Sequence, residues 1–281
     1  YALLAAQKLA LAKKMPLAVV FCLLPSAGHR AREQYEWMLE GLKYVESSLD
    51  ALNIPFIMLL GDPRERLSGC IRHLEPDAVY FDFNPLRGPQ ALQKHIAGQA
   101  KCATYVVDTH NIVPVWVASD KQEFAARTLR PKIHRQIDQY LEEPEQATKH
   151  PHAWPGKVMK LAELSSETSK ILNKLIPNKQ ASLSERYPVG EKNAQKHLGS
   201  FIENTLGQYA DQRNDPSLGG LSGLSPYLHF GQLSSLRVAL EVHKAVAADS
   251  GLQKSADVLL EEMVVRKELS DNFCYYNPKY D

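Results

Sequence analysis

Four short apolar runs, separated by stretches of helical periodicity, occupy the first 107 residues and restrict the fold of this chain more than any other feature. Leu17 to Leu24 is continuously apolar over strand length, the pattern of a strand covered on both faces. Tyr35, Met38, Leu39, Leu42, Val45, Leu49 and Leu52 then recur at helical spacing, and Ile54 to Leu60 is the next strand, closed by Gly61-Asp62-Pro63 as a plain turn. A short helix to His73, a strand at Ala78 to Phe81, a helix at Pro89 to Gly98 and a strand at Thr104 to Val107 complete the series, with an Ala/Leu/Lys helix from Leu3 to Lys13 ahead of it. Strand and helix alternating in this way predict an α/β domain with a Rossmann-like parallel sheet, placed at residues 1–135.

That sheet carries no Gly-x-Gly-x-x-Gly after any strand, and the chain has no Gly-x-x-x-x-Gly-Lys-Ser/Thr. A dinucleotide or triphosphate site of the usual kinds, as in an adenylyl transferase, is therefore disfavoured. The net charge of +1 creates no global field for nucleic acid, so any DNA contact must come from a local patch. Cys22, Cys70, Cys102 and Cys274 are scattered without metal-ligand spacing, which predicts reduced thiols, no metal site and an intracellular protein. No apolar run approaches the ~20 residues of a membrane helix. Soluble behaviour is expected.

The middle of the chain is less regular. Lys121, Arg127, Arg130, Lys132 and Arg135 make a basic stretch that reads either as a solvated helix face or as a contact for DNA phosphates. Residues 136–190, with Pro144, Pro151, Pro155, Pro177 and Pro188, read as an interdomain linker holding one helix at Ser165 to Leu175. From 191 to 281 the periods are helical. Ala194, His197, Leu198, Phe201, Ile202 and Leu206 form one buried face, Leu233, Leu236 and Leu240 a second, and Ala256, Leu259, Leu260, Met263 and Val264 a third.

Tyr209 to Leu236 concentrates the chemistry of this half. Arg213, Asn214 and Asp215 precede two glycines and the small hydroxyls Ser222 and Ser225. Ser225 reads as an N-cap and Pro226 as the first helical residue, because proline lacks an amide that would have no partner there. On the residues alone the stretch is either an ordinary capped turn or an anion-binding loop without lysine. Further on, Glu262, Arg266, Leu269 and Phe273 share a stripe at i, i+4, i+7 and i+11, where a Glu and an Arg one turn apart ordinarily form a surface ion pair.

The run Leu221-Ser222-Gly223-Leu224-Ser225-Pro226-Tyr227-Leu228-His229-Phe230-Gly231, behind Arg213-Asn214-Asp215-Pro216, resembles the flavin-phosphate loop of the DNA photolyase and cryptochrome family. Glu262 to Pro278 resembles the class II branch, the cyclobutane pyrimidine dimer photolyases. Both motifs are long and stand in the family's order, and the resemblance covers most of the chain. It implies an α/β antenna-type domain followed by the first helices of an all-α FAD-binding domain, with one strand upstream of Tyr1 and further helices beyond Asp281. As given, the chain is then a fragment expected to bind FAD poorly and to be inactive alone.

The resemblance implies light-driven repair of DNA containing pyrimidine dimers, with reduced FAD as electron donor and a deazaflavin or folate as antenna. By the same resemblance Tyr209 contacts the flavin, and Leu221, Ser222, Gly223, Leu224 and Ser225 surround its phosphates. Glu262 is implied as the catalytic group that hydrogen-bonds the damaged thymines, donating only if a desolvated site keeps it protonated. Arg266 lies beside the lesion where some relatives carry Trp, and Arg213 and Asn214 belong to the cofactor and lesion side. Asp82-Phe83-Asn84 and Asp108-Thr109-His110-Asn111, at strand ends, are either turn-formers or the lining of the antenna pocket. A monomer is expected, cytoplasmic in a prokaryote or nuclear in a eukaryote. A cryptochrome-like photoreceptor without repair is the alternative, against which the Glu262 to Tyr276 run argues.

Overall fold

The computed structural model describes residues 1–24, 31–156, 158, 161–175 and 182–280, the side chains of 162–167 and 175 excepted. Its helices and strands run, in chain order, α1 (Ala2–Lys13), β1 (Val19–Leu23), α2 (Arg32–Ala51), β2 (Phe56–Leu60), α3 (Pro63–Leu74), β3 (Ala78–Asp82), α4 (Arg87–Gln99) and β4 (Ala103–Val107). There follow α5 (Val115–Ala118), α6 (Ala126–His134), α7 (Leu161–Leu175), α8 (Leu183–Arg186), α9 (Glu191–Asn204), α10 (Leu206–Gln212), α11 (Ser225–His229), α12 (Ser235–Ala248), α13 (Gln253–Leu260) and α14 (Lys267–Tyr276). Backbone contacts divide these into two compact units: Tyr1–Asp82 with Gly88–Val107 and Glu145–Val189, and Phe83–Arg87 with Asp108–Pro144 and Gly190–Asp281.

The first unit is α/β. Asp62 accepts a bond from the amide of Arg64 at 2.8 Å with Pro63 as the first helical residue, so Gly61-Asp62-Pro63 is both turn and helix start. β1 pairs with β2 in parallel from Val19↔Phe56 to Leu23↔Leu60, and β3 with β4 from Ala78↔Ala103 to Asp82↔Val107. Among the described residues the four strands thus form two separate parallel pairs, where one continuous sheet is expected. Burial on both faces is also incomplete, since Tyr105 and Val106 of β4 are exposed.

The core of this unit joins Leu23, Tyr35, Leu49, Ile54, Phe56 and Met58 to Leu161 and Leu172 of α7. The helix expected inside a surface linker is therefore a covering helix of the core. The 136–190 stretch is shared, residues to Pro144 lying in the helical unit and Glu145–Val189 in the α/β unit, while Pro177 falls outside the described residues. Polar ties fix the returning segment. Gln7 and Thr148 exchange bonds of 2.6 and 3.1 Å, and buried His150 reaches the carbonyl of Met15 at 2.8 Å. Prolines and polar residues suggest a solvated connector, but backbone groups of Thr148, His150 and Leu161 meet partners about 100 or more positions earlier in sequence.

The second unit is helical. Ala194, Leu198 and Phe201 of α9, Leu206 and Tyr209 of α10, Leu236, Val238, Ala239 and Val242 of α12, and Ala256 and Leu259 of α13 are buried, each set at helical spacing. Ser234 caps α12 by accepting from the amide of Arg237 at 3.0 Å. Between α13 and α14 the chain winds as a π-helix over Glu261–Arg266, a local widening that is often found at functional sites. No helix among the described residues is long and apolar enough to cross a membrane.

Candidate functional site

Tyr209, Arg213 and Glu262 come together. α10 ends at Gln212, which leaves Arg213 as its cap, and the guanidinium turns back over its own helix to lie 5.9 Å from the centre of the Tyr209 ring. From there Arg213 Nη2 donates to Glu262 Oε1 at 3.0 Å. Tyr209 is buried, edge-on to Phe201 with ring centres 5.7 Å apart. Tyr209 and Glu262 together hold the Arg213 cation more firmly charged than usual. The Glu262 side chain is 37% exposed, so it faces water as an acceptor rather than a desolvated pocket.

The π winding decides which charges meet. In an α-helix Glu262 and Arg266 would be neighbours one turn apart, but the π repeat brings residues five apart into register. Arg266 Nε accordingly lies 3.3 Å from Glu261 Oε1, five residues back, and Glu262 is free to take Arg213. Arg130 of α6 closes on the same Glu261 with two bonds, at 2.9 and 2.7 Å. The expected Glu262–Arg266 pair is thus replaced by two other ion pairs. Arg266 itself points outward, with over half its side chain exposed.

The loop ahead of α11 is held by its glycines and by α9. Gly219 and Gly223 both sit at φ 65°, a left-handed conformation that side chains rarely adopt. Gly220 presses its backbone on α10, where a Cβ would overlap Gln212. His197 donates to the carbonyl of Ser222 at 2.9 Å, and buried Leu224 and Tyr227 anchor the far end. Leu221 and Ser225 are exposed, Ser222 half-buried, and Asn214 exposed beside Arg213.

One sequence expectation shifts by a residue: α11 starts at Ser225 with Leu224 as cap and Pro226 second, and Ser225 makes no capping bond. Leu224 takes a helical ψ of −15°, so the hydroxyl of Ser225 already lies beyond the cap position. From Gly219 to Leu228 there is no acidic residue. Hydroxyls, backbone amides and a glycine that leaves space make a donor set that fits the phosphates of a dinucleotide.

Strand-end residues serve the fold. Buried Asp108 accepts from the amides of His110 (3.0 Å), Asn111 (2.9 Å) and Val115 (2.9 Å), and Asn84 accepts from Leu86. Phe83 packs edge-on against Trp116 and Tyr275. Asp108 and Asn84 thus act as turn-formers and Phe83 as a packing group, while Asp82 and His110 are exposed.

Sequence reasoning missed Glu268. It is 3% exposed in α14, and its Oε1 accepts from the amides of Ile112 (2.8 Å) and Val113 (3.3 Å). Its Oε2 has no partner among the described residues, and burial pushes its carboxyl up to about 8. No sequence signal distinguishes it from the other charges of its run. Among the described residues no group of three His, Cys, Asp or Glu is placed to hold a metal ion.

Comparison with known proteins adds identity to this geometry. The family described as DNA photolyase matches residues 1–152. The chain is 35% identical to the deoxyribodipyrimidine photo-lyase of Arabidopsis thaliana, over all of this chain and 57% of that protein. It is 37% identical to the protein of the same name from Potorous tridactylus, over all of this chain and 52% of that one. It spans about half the length of these curated relatives. Among solved structures, a class III photolyase from Agrobacterium tumefaciens superposes with a TM-score of 0.67 at 19% identity, covering 98% of this chain and 56% of that one. A cryptochrome from Synechocystis gives 0.70 at 13% identity, over 97% and 58%. These two show the fold alone. An α/β domain followed by a helical region, with relatives above 30% identity along its whole length, places this chain in the DNA photolyase family.

Proposed function

We propose that the full-length protein is a class II deoxyribodipyrimidine photo-lyase, repairing cyclobutane pyrimidine dimers in DNA under light. The observation that carries this reading is that Tyr209 and Arg213, at the end of α10, meet Glu262 at the start of the run Glu262 to Pro278 that resembles the class II branch. The relatives' shared name supports it. In this reading the α/β unit acts as the antenna-type domain and the helical unit, which takes in Asp108–Pro144 as well as Gly190–Asp281, as the beginning of the FAD-binding domain.

In this reading the hydroxyls and amides of Leu221, Ser222, Gly223, Leu224 and Ser225 bind the FAD diphosphate, and Tyr209 supports the same cavity. The chemistry supplied when reduced FAD is bound is the loan of one electron to the dimer. The chain's own contribution is position and electrostatics. A dimer inside a duplex is hidden in the stack, so it must be flipped out, at a few kcal/mol that the lesion's weak pairing lowers. Glu262 then orients the lesion through hydrogen bonds, with Arg213 fixing its carboxyl group and Asn214 beside it. Arg266, exposed at the end of the π segment, stacks on or pairs with the lesion strand. A deazaflavin or folate antenna, a monomeric state and an intracellular location belong to the same proposal.

Blue-light repair of a dimer-containing oligonucleotide by the full-length gene product tests the reading. Dimer loss that requires light and reduced flavin is expected, and its complete absence with flavin bound leaves the alternative of a cryptochrome-like photoreceptor.

A further inference from the structure

Phe124 is 85% exposed, more than any other large apolar side chain among the described residues. Leaving a Phe in water forgoes about 2–3 kcal/mol of burial, and flexibility does not account for it, because the backbone around it is clamped. Asn272 of α14, itself 1% exposed, accepts from the amide of Glu123 at 2.7 Å and donates to the carbonyl of Lys121 at 3.0 Å. The Glu123 side chain turns inward, taking the Ser119 hydroxyl at 2.8 Å and the Lys132 ammonium at 2.5 Å. With the Glu123 amide and side chain both held inward, the Phe124 side chain projects outward.

The exposed charges around this aromatic are mostly positive. Lys121 and Arg127 are exposed, and among the described residues neither has a carboxylate partner, while Lys132 is neutralised by Glu123 and Arg130 by Glu261. Arg135 and His134 continue the exposed basic side of α6, and Asp120 is the one exposed acid between Ser119 and Arg135. A protein partner that buried Phe124 would also have to desolvate unpaired Lys and Arg, and interface cores are depleted in Lys. Nucleic acid satisfies both: a base face for the ring and phosphates for the cations.

We propose that Phe124, flanked by Lys121 and Arg127, is a nucleic-acid contact, with the ring stacking on a base and the two cations taking phosphates of the same strand. The inference rests on the reading of the protein as acting on DNA, and it assigns a binding surface on α6 and the loop before it. Arg130 ties that helix to Glu261, the residue before Glu262, so the element bearing the contact is bonded to the segment that carries the candidate lesion group.

The test is fluorescence anisotropy of this chain with two labelled duplexes, one undamaged and one holding a single thymine dimer, across a salt series. Phe124→Ala is expected to weaken binding about tenfold and Phe124→Tyr to restore it, as stacking on a single base predicts. Arg127→Gln and Lys121→Gln are each expected to reduce the salt slope by about 1. Phe124 is exposed, so circular dichroism should show unaltered folding of its variants. Unchanged affinity in Phe124→Ala, unchanged salt slopes, or no binding of wild type at low salt overturns the proposal. If wild type binds the two duplexes equally while Phe124→Ala still weakens both, the dimer reading fails and this contact stands. If wild type prefers the dimer and Phe124→Ala behaves as wild type, only this contact fails.

Discussion

Replacing Glu268 by glutamine isolates the most strongly perturbed carboxyl group of the helical unit. Its side chain is 3% exposed, two backbone amides meet one oxygen, and the other oxygen has no partner among the described residues. Burial raises its carboxyl from 4.5 to about 8, against the opposing pull of the Ile112 and Val113 amides and Lys267, and with help from Asp108. A raised acid favours the protonated folded state. Its stabilising contribution is therefore complete below about pH 4.5, is lost progressively as pH rises through about 8, and stays lost above that. At about 1.4 kcal/mol per pH unit the loss is on the order of 4–5 kcal/mol.

Glutamine keeps the acceptor for the two amides and removes the titration, at a pH-independent cost of about 1–3 kcal/mol for burying an unpaired amide donor. Urea unfolding followed by circular dichroism at intervals from pH 5 to 9 gives the difference between Glu268→Gln and wild type. His110, whose imidazole burial and Lys267 push down, is common to both proteins, as are the other titrating groups, and their contributions cancel in that difference. The variant should gain on wild type by about 4 kcal/mol between pH 5 and 9, the larger part of it below pH 7, with the difference levelling off above pH 8. A difference that stays flat across the range refutes the argument, because it would mean that Glu268 ionises in the folded protein as it does in water.

Three further outcomes follow from the geometry. Gly220→Ala drives a methyl into Gln212, whose carbonyl carbon lies 3.0 Å from the new Cβ, and should cost about 1–3 kcal/mol in chemical denaturation, whereas Gly199→Ala, with open space at its Cβ, should stabilise slightly. Asp108→Ala leaves three backbone amides without their acceptor and should destabilise the helical unit by at least 2 kcal/mol, measured by the shift of the urea midpoint. Glu262→Ala in the full-length protein should abolish most light-driven dimer repair while leaving flavin absorbance unchanged; full repair would remove the proposed role.

What the chain reveals without coordinates is what near neighbours decide. Asp62 before Pro63 and Ser234 before α12 act through bonds two or three residues away, the kind of local contact that sequence carries, although Gly61-Asp62-Pro63 reads there only as a turn. The strand runs and the buried stripes of α9, α12 and α13 were legible for the same reason, since periodicity is a local property. The placement of Ser225 was read one residue early, because Leu224 adopts a helical backbone that its own sequence does not announce.

Tertiary structure alone decided the rest. Whether four parallel strands join or stand as two pairs, and whether α7 covers a core or crosses a surface, depends on which apolar faces meet across a hundred residues or more. The π winding at Glu261–Arg266 replaces the Glu262–Arg266 pair that α-helical spacing predicts, giving Arg213 to Glu262 and Arg266 to Glu261. Glu268 illustrates the limit best. Its chemistry comes from Ile112 and Val113, about 155 positions earlier, and from the loss of water that only packing imposes.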